Sequence, residues 1–360
     1  VSINMRDNGL DVTICVPLDV DPTPVIERVA TEAGWQVRVH HHPDLLPPQR
    51  FPADHKGDPG FRRSGTAELA WQRLLAGTDV ALGFPGDSPA GLRTLIQAAP
   101  GLRWVQGTAA GTGEQAVAAG LRAETAARIT ITSAAGLHAV PLAEFAVFGL
   151  LALAKDIDVL QQASTDRQWL PRWPMRLLAG SQILVVGMGG IGREAARLCA
   201  AFGANVTGVR RSAGGQAPPG VDRVVGLADL DGVLPSADAV VLTLPGTEHT
   251  RHLFGERRLS LLAAHSVLVN VGRGSVLDTG ALIGALDAGA LRGAVLDVTD
   301  IEPLPAGSAL WGRPNVIISP HTAALTTDED ARILALFADN LRSFLAAEPL
   351  RNTIDLAAGY

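Results

Sequence analysis

Arg273, Glu302 and His321 are the residues whose types and placement in this chain could do chemistry together. Each follows an apolar run that reads as a strand. Val267–Val271 leads into VNVGRG, Ala294–Val298 into LDVTDIEPLP, and Val316–Ile318 into SPHTA. Glu302 lies 29 residues beyond Arg273, and His321 lies 19 beyond Glu302. Side chains just past the C-terminal ends of successive parallel strands face one crevice. A guanidinium there can hold a carboxylate through two parallel hydrogen bonds and polarise the carbonyl next to it. A carboxylate beside an imidazole orients the ring and favours its protonated form, so His321 can donate near neutral pH. With a hydride source added, this set suits the reduction of a 2-keto acid.

The hydride source is legible upstream. Residues 182–192 read QILVVGMGGIG, an apolar strand running into Gly187-Met188-Gly189-Gly190-Ile191-Gly192 and then a helix at Arg193–Phe202. Gly187 permits the tight turn, Gly189 lets the backbone approach a pyrophosphate, and Gly192 allows close helix–strand packing. The helix N-terminus then offers unpaired N–H groups to the phosphates. Sites that prefer NAD place an acid about 20 residues past the glycines. Here the next strand ends in Arg210-Arg211-Ser212, with Arg210 23 residues past Gly187. Two guanidiniums and a hydroxyl suit a 2′-phosphate, so NADP is expected over NAD, with NAD possible.

Alternating strands and helices must position these groups. The fold class expected is α/β, with two Rossmann-like or flavodoxin-like doubly wound domains and a cleft between them. A first series has strands at Val12–Val16, Val37–His40, Val80–Phe84 and Trp104–Gln106, with helical patterns at Pro24–Ala33 and Ala67–Leu75. His41–Ser64 reads as a long surface loop. A helix near Pro141–Leu160 precedes the second series, whose strands read Ile183–Val186, Val206–Val209, Ala239–Leu244 and the three runs named above. Asp328–Ala347 is amphipathic. The expected division is residues 1–140 with 325–360 for substrate, and 141–324 for the dinucleotide.

Composition narrows the class. Hydrophobic residues make up 47% and charged residues 18%, which permits a large core. A net charge of −6 without a basic run argues against nucleic acid as a partner. Phe145–Ala154, the longest apolar stretch, is too short to span a bilayer. Residues 1–11 show no basic start followed by an apolar run, so a cytoplasmic protein without a membrane partner is expected. Cys15 and Cys199 read as buried free thiols. His40-His41-His42 is not read as a metal site, because adjacent side chains of an extended chain point to opposite faces. No metal is expected. Asp328, Glu329 and Asp330 suit the positive end of a helix; His249 and His252 read as solvated, with His249 placed where it could border the cofactor.

The series GMGGIG, LPGT (Leu244–Thr247), VNVGRG, LDV…EPLP and SPHTAA resembles the D-isomer-specific 2-hydroxyacid dehydrogenase family, in its glyoxylate/hydroxypyruvate reductase-like, NADP-type form. The resemblance is strongest over residues 140–325. It implies that Arg273 binds substrate and that Glu302 and His321 form an acid–base pair. It implies that Asp297 contacts the nicotinamide carboxamide, and that Leu244, Pro245, Thr250, Val271 and Gly272 line the cofactor. Backbone N–H groups of Ala110 and Gly111, within Gly107–Thr112, would hold the substrate carboxylate, with Trp311 near the substrate. A homodimer is expected, as in relatives. Ser133–Gly136 departs from the family pattern and leaves the keto acid open. The competing readings are a dinucleotide-sensing, corepressor-like scaffold and a phosphite-type dehydrogenase. The scaffold usually needs added tails, and this chain ends at Tyr360, soon after its last helix.

Overall fold

Short runs of β-branched and aliphatic residues form two parallel sheets, and amphipathic helices cover them. The computed structural model describes residues 9–121 and 128–356. Most of residues 1–11 and the chain end at Tyr360 lie outside the described residues. The chain divides into one unit of Val1–Leu137 with Leu325–Tyr360 and another of His138–Ala324.

The first unit holds β1 (Gly9–Ile14), β2 (Gln36–His40), β3 (Val80–Leu82), β4 (Trp104–Gln106) and β5 (Thr130–Thr132). Their spatial order is β2-β1-β3-β4-β5, all parallel. The order reverses between β1 and β3, which opens a crevice at the strand C-termini. The helix Glu329–Leu345 buries Ile333, Phe337 and Leu341 against Leu10, Val12 and Trp104. Trp104 stacks on Phe337 at 4.9 Å, and its indole N–H donates to Thr132 Oγ1 at 2.9 Å.

Residues 41–64 are better packed than a surface loop would be. Leu45, Leu46, Asp54 and His55 are buried, and Arg50 clamps Asp54 from Nε at 2.6 Å and from Nη2 at 2.9 Å. Asp330 is more than a charge at a helix start. It is buried, and it accepts from Asp19 N at 2.7 Å and Gln49 Nε2 at 3.0 Å while His55 Nε2 lies 2.7 Å away. That pairing spans 275 residues, so local spacing gives no hint of it. His40 and His41 each pair with a separate carboxylate, Asp11 and Asp21.

The second unit holds β6 (Gln182–Val186), β7 (Asn205–Arg210), β8 (Arg223–Gly226), β9 (Ala239–Leu242), β10 (Val267–Asn270), β11 (Gly293–Leu296) and β12 (Val316–Ile318). The order is β12-β11-β10-β9-β6-β7-β8, again all parallel. Every residue of β9, β10 and β11 is buried, as expected of parallel strands covered on both faces. The switch point lies between β6 and β9, directly below the glycine turn.

The single helix expected near 141–160 is two, Ala139–Ala154 and Ile157–Thr165. The break is at Asp156, whose backbone is left-handed (φ +50°). Arg292, just before β11, donates to Asp156 Oδ1 at 2.9 Å and Asp158 Oδ1 at 2.6 Å, which holds the second helix at that angle. Strands β5 and β8 add to those that the sequence pattern predicts. Both are edge strands of three or four residues, too short for a pattern. Cys15 and Cys199 are buried, and burial pushes each thiol up to about 12. No described helix is long and apolar enough to cross a membrane.

Candidate active site

The glycine turn follows β6 directly. Gly187 is left-handed (φ +106°), and a Cβ on Gly192 would lie 1.8 Å from the Gly187 carbonyl oxygen, so the helix Gly190–Ala201 starts hard against the strand. Gly189 is different: it is exposed, a Cβ there would meet nothing within 4 Å, and no side chain caps the helix. No side chain occupies the cap and the space beside Gly189 lets a ligand approach the backbone, which fits a pyrophosphate. Met188 is buried against Gly208, and Val271 is buried in the core, so both could offer a ligand only backbone.

At the end of β7, Arg210 Nη2 donates to the carbonyls of Gly214 and Gly215, while its Nε–H is buried with no partner. Arg211 and Ser212 are exposed beside it. Arg210, Arg211 and Ser212 give this strand end cationic and hydroxyl donors that suit a phosphorylated ribose, while the Asp229 carboxylate lies beside Gly226 on the neighbouring strand. After β9, Leu244 packs against Gly272, whose Cβ would lie 2.6 Å from the Leu244 carbonyl oxygen. Pro245 is exposed. The Thr250 hydroxyl donates to the Pro245 carbonyl at 2.6 Å and lies 2.9 Å from the Thr247 amide, so it shapes this turn.

Arg273 follows β10. Asn270, fully buried, fixes the turn: its Oδ1 accepts from Gly272 N at 3.1 Å, and its Nδ2 donates to Arg273 O at 3.1 Å. Arg273 Nη1 donates to Gly272 O at 3.0 Å. Gly274 lies against the segment after β11, where a Cβ would come within 1.9 Å of Thr299 O. In that segment Thr299 N–H donates to Glu302 Oε1 at 3.0 Å. Glu302 Oε2 in turn lies 2.8 Å from His321 Nδ1. Glu302 is thus held from the backbone on one oxygen and holds the imidazole with the other.

His321 has a left-handed backbone (φ +56°), and its N–H donates to Asp297 O at 2.9 Å. Asp297 is buried, and its Oδ1 accepts from Ser319 Oγ at 2.8 Å, Thr322 N at 3.1 Å and Ala323 N at 3.0 Å. One carboxylate therefore ties the end of β11 to the segment bearing His321. Asp297, Glu302, Trp311 and His321 line a pocket of about 430 Å³ with walls that include Leu304, Ile318 and Pro320. Trp311 is half exposed and donates from Nε1 to Pro305 O at 2.9 Å. In the other unit, Ala110 is exposed and Gly111 half-buried just past β4, ahead of the short helix Thr112–Ala118.

Sequence reasoning missed Asn270 and Ser319, although both lie inside motifs it had singled out. It also read His252 as solvated. His252 Nε2 lies 3.0 Å from Asp300 Oδ2, a contact across 48 residues that no local pattern announces. Among the described residues no group of His, Cys, Asp or Glu is arranged to hold a metal ion.

Residues 147–323 match the family described as D-isomer specific 2-hydroxyacid dehydrogenase, NAD binding domain. A glyoxylate reductase of Korarchaeum cryptofilum is 32% identical over 269 residues, 72% of this chain and 78% of that protein. One from Aeropyrum pernix is 31% identical over 240 residues, 63% of this chain and 70% of that protein. The crystal structure of a D-isomer specific 2-hydroxyacid dehydrogenase from Xanthobacter autotrophicus Py2, in complex with NADPH and MES, is similar with a TM-score of 0.73 at 28% identity, over 97% of this chain and 99% of that one. Two parallel α/β units, the family match and these relatives together indicate a nicotinamide-dependent oxidoreductase of 2-hydroxy acids. The chain belongs to the D-isomer specific 2-hydroxyacid dehydrogenase family.

Proposed function

We propose that this chain reduces 2-keto acids to D-2-hydroxy acids and prefers NADPH, with the unit His138–Ala324 binding the dinucleotide. The observation that carries the reading is the 2.8 Å contact of His321 Nδ1 with Glu302 Oε2, made while the Thr299 amide holds the other carboxylate oxygen. Glu302 fixes the ring plane and accepts a hydrogen bond from Nδ1–H, so Nε2 is the nitrogen that delivers a proton to the carbonyl oxygen. Arg273 pairs with the substrate carboxylate and stabilises charge developing on that oxygen. The bound nicotinamide supplies the hydride.

The open Gly189 amide and the first turn of its helix would take the pyrophosphate, and Arg210, Arg211 and Ser212 the 2′-phosphate. Asp297 would accept from the carboxamide. NADPH in the Xanthobacter relative supports this preference. Phe148, Trp169 and Leu177 expose large apolar surface within one unit, which supports a homodimer. The two buried free thiols support a reducing, cytoplasmic setting.

The test is absorbance-followed oxidation of NADPH and NADH against a panel of 2-keto acids. Faster turnover with NADPH on any member is expected. Turnover with NADH alone would remove the cofactor preference. Tight dinucleotide binding without turnover would turn the reading toward a dinucleotide-sensing scaffold.

A further inference from the structure

We propose that His252 and Asp300 are positioning residues for this reaction, a cross-tie that locks the segment bearing Arg273 to the segment bearing Glu302. The proposal rests on the roles given above to Arg273, Glu302 and His321.

The tie begins in the backbone. His252 N–H donates to Ser275 O at 2.7 Å, Phe254 N–H to Val276 O at 3.0 Å, and Asp278 N–H back to Phe254 O at 3.0 Å. Residues 252–254 thus run alongside the turn that starts one residue after Arg273. Phe254 is fully buried, which anchors this pairing in the core. From that base the His252 side chain crosses to the neighbouring segment, and its Nε2 lies 3.0 Å from Asp300 Oδ2. Its Nδ1 lies 3.8 Å from Asp278 Oδ2, while Asp278 Oδ1 caps the helix Thr279–Asp287 through Ala281 N at 3.0 Å.

Asp300 sits between Thr299 and Glu302 in the chain. Thr299 uses its amide on Glu302 Oε1, and its hydroxyl donates to Ile301 O at 2.8 Å, so residues 299–302 form one small hydrogen-bonded turn. Its other edge is the Thr299 carbonyl, which lies over Gly274. The two segments therefore meet at two places, the Gly274–Thr299 backbone contact and the His252–Asp300 pair. Two points of attachment fix an orientation that one leaves free to rock.

Stability alone does not account for the pair. Both side chains are partly exposed, and an ion pair in that setting contributes little. His252 also holds a left-handed backbone (φ +46°), a conformation that costs free energy and persists where its surroundings enforce it. The return is geometric: Arg273 must meet a carboxylate while Glu302 aims His321 at the carbonyl beside it. Misplacement by about 1 Å can cost on the order of a hundredfold in rate.

The experiment compares Asp300→Ala, His252→Ala and His252→Gln, alone and with Glu302→Ala. Asp300→Ala and His252→Ala should each lower kcat/KM for a 2-keto acid at least tenfold. The dinucleotide Kd, read by fluorescence titration, should stay within twofold. His252→Gln, which keeps an N–H near the position of Nε2, should restore most of the loss. In the Glu302→Ala background, Asp300→Ala should change kcat less than twofold, because the group being positioned is gone. Undiminished kcat/KM in Asp300→Ala, or the same fold loss in both backgrounds, would overturn the proposal. Hydrogen exchange supplies an arm that does not depend on the reaction. In Asp300→Ala the amides of residues 274–276 and 299–302 should exchange faster together, with those of Gly187–Gly192 unchanged. Should the protein turn over no keto acid, the reading of the reaction fails, and unchanged exchange in both segments would still separately refute the cross-tie.

Discussion

Gly274→Ala tests whether the contact beside Arg273 is part of the working geometry. A Cβ there would stand 1.9 Å from Thr299 O, 2.1 Å from Thr299 C and 2.7 Å from Asp300 N. All three atoms are backbone, so no side chain can swing aside. Reaching the 3.4 Å of ordinary contact requires the segments to separate by about 1.5 Å. Overpacking of this kind costs about 1–3 kcal/mol of stability. A displacement of that size also carries Glu302 away from its setting relative to Arg273, so kcat/KM for a keto acid should fall roughly a hundredfold. The glycine turn at Gly187–Gly192 is built from other atoms, so the dinucleotide Kd should hold. Gly284→Ala is the matched control. It lies exposed in the helix Thr279–Asp287 with nothing within 4 Å of its Cβ, and it should stabilise by about 1 kcal/mol without touching the kinetics. Steady-state kinetics, fluorescence titration and thermal melts on both variants settle the matter. If Gly274→Ala keeps kcat/KM within twofold of the parent, the reasoning from close contact to alignment is wrong.

Three further outcomes are expected. His321→Asn tolerates the left-handed backbone, so it should fold, bind dinucleotide normally and lose about 10²–10⁴ in kcat; lost dinucleotide binding would point to a structural histidine. Replacing Arg210 and Arg211 together by Ala should raise the KM for NADPH far more than that for NADH, and an unchanged ratio would dismiss the 2′-phosphate role. Burial pushes the Asp158 carboxyl up, but the Arg292 guanidinium outweighs it and holds the group below its ordinary 3.8. A depressed acid stabilises the fold above its unfolded value and loses that contribution as pH falls through the folded one. Arg292→Ala should therefore lower Tm more at pH 7 than at pH 3, and equal losses at both would contradict the pairing.

What the sequence made legible was local. The glycine series stands between a buried strand and a helix, and a turn of that kind announces itself within a dozen residues. Arg273, Glu302 and His321 each follow a run of aliphatic residues, so their strand-end placement could be inferred from pattern alone. The contacts that orient them are long-range. Ser319 reaching Asp297 spans 22 residues, and His252 reaching Asp300 spans 48. Periodicity reports which face of an element is apolar, and it says nothing about which polar side chains meet across loops. The same limit hid the break at Asp156, which the ion pairs with Arg292 hold in place. It also hid β5 and β8, whose few residues pair only because a sheet edge is already there.

The first unit is built from both ends of the chain, and that has a consequence for how the protein is made. Leu10 and Phe337 belong to one hydrophobic cluster although they lie 327 residues apart. A ribosome adding about 5–20 residues per second needs roughly 15–65 s to deliver the helix that covers the first strand. Through that interval the Val12 side of the young sheet has only the helix Thr23–Glu32 to cover it, whereas all the strands of the second unit come from one uninterrupted stretch and can close as soon as it emerges. The nascent chain thus carries a sticky, half-finished front end behind a unit free to mature first. Its yield in a cell should depend on what shields that face until Ile333, Phe337 and Leu341 arrive.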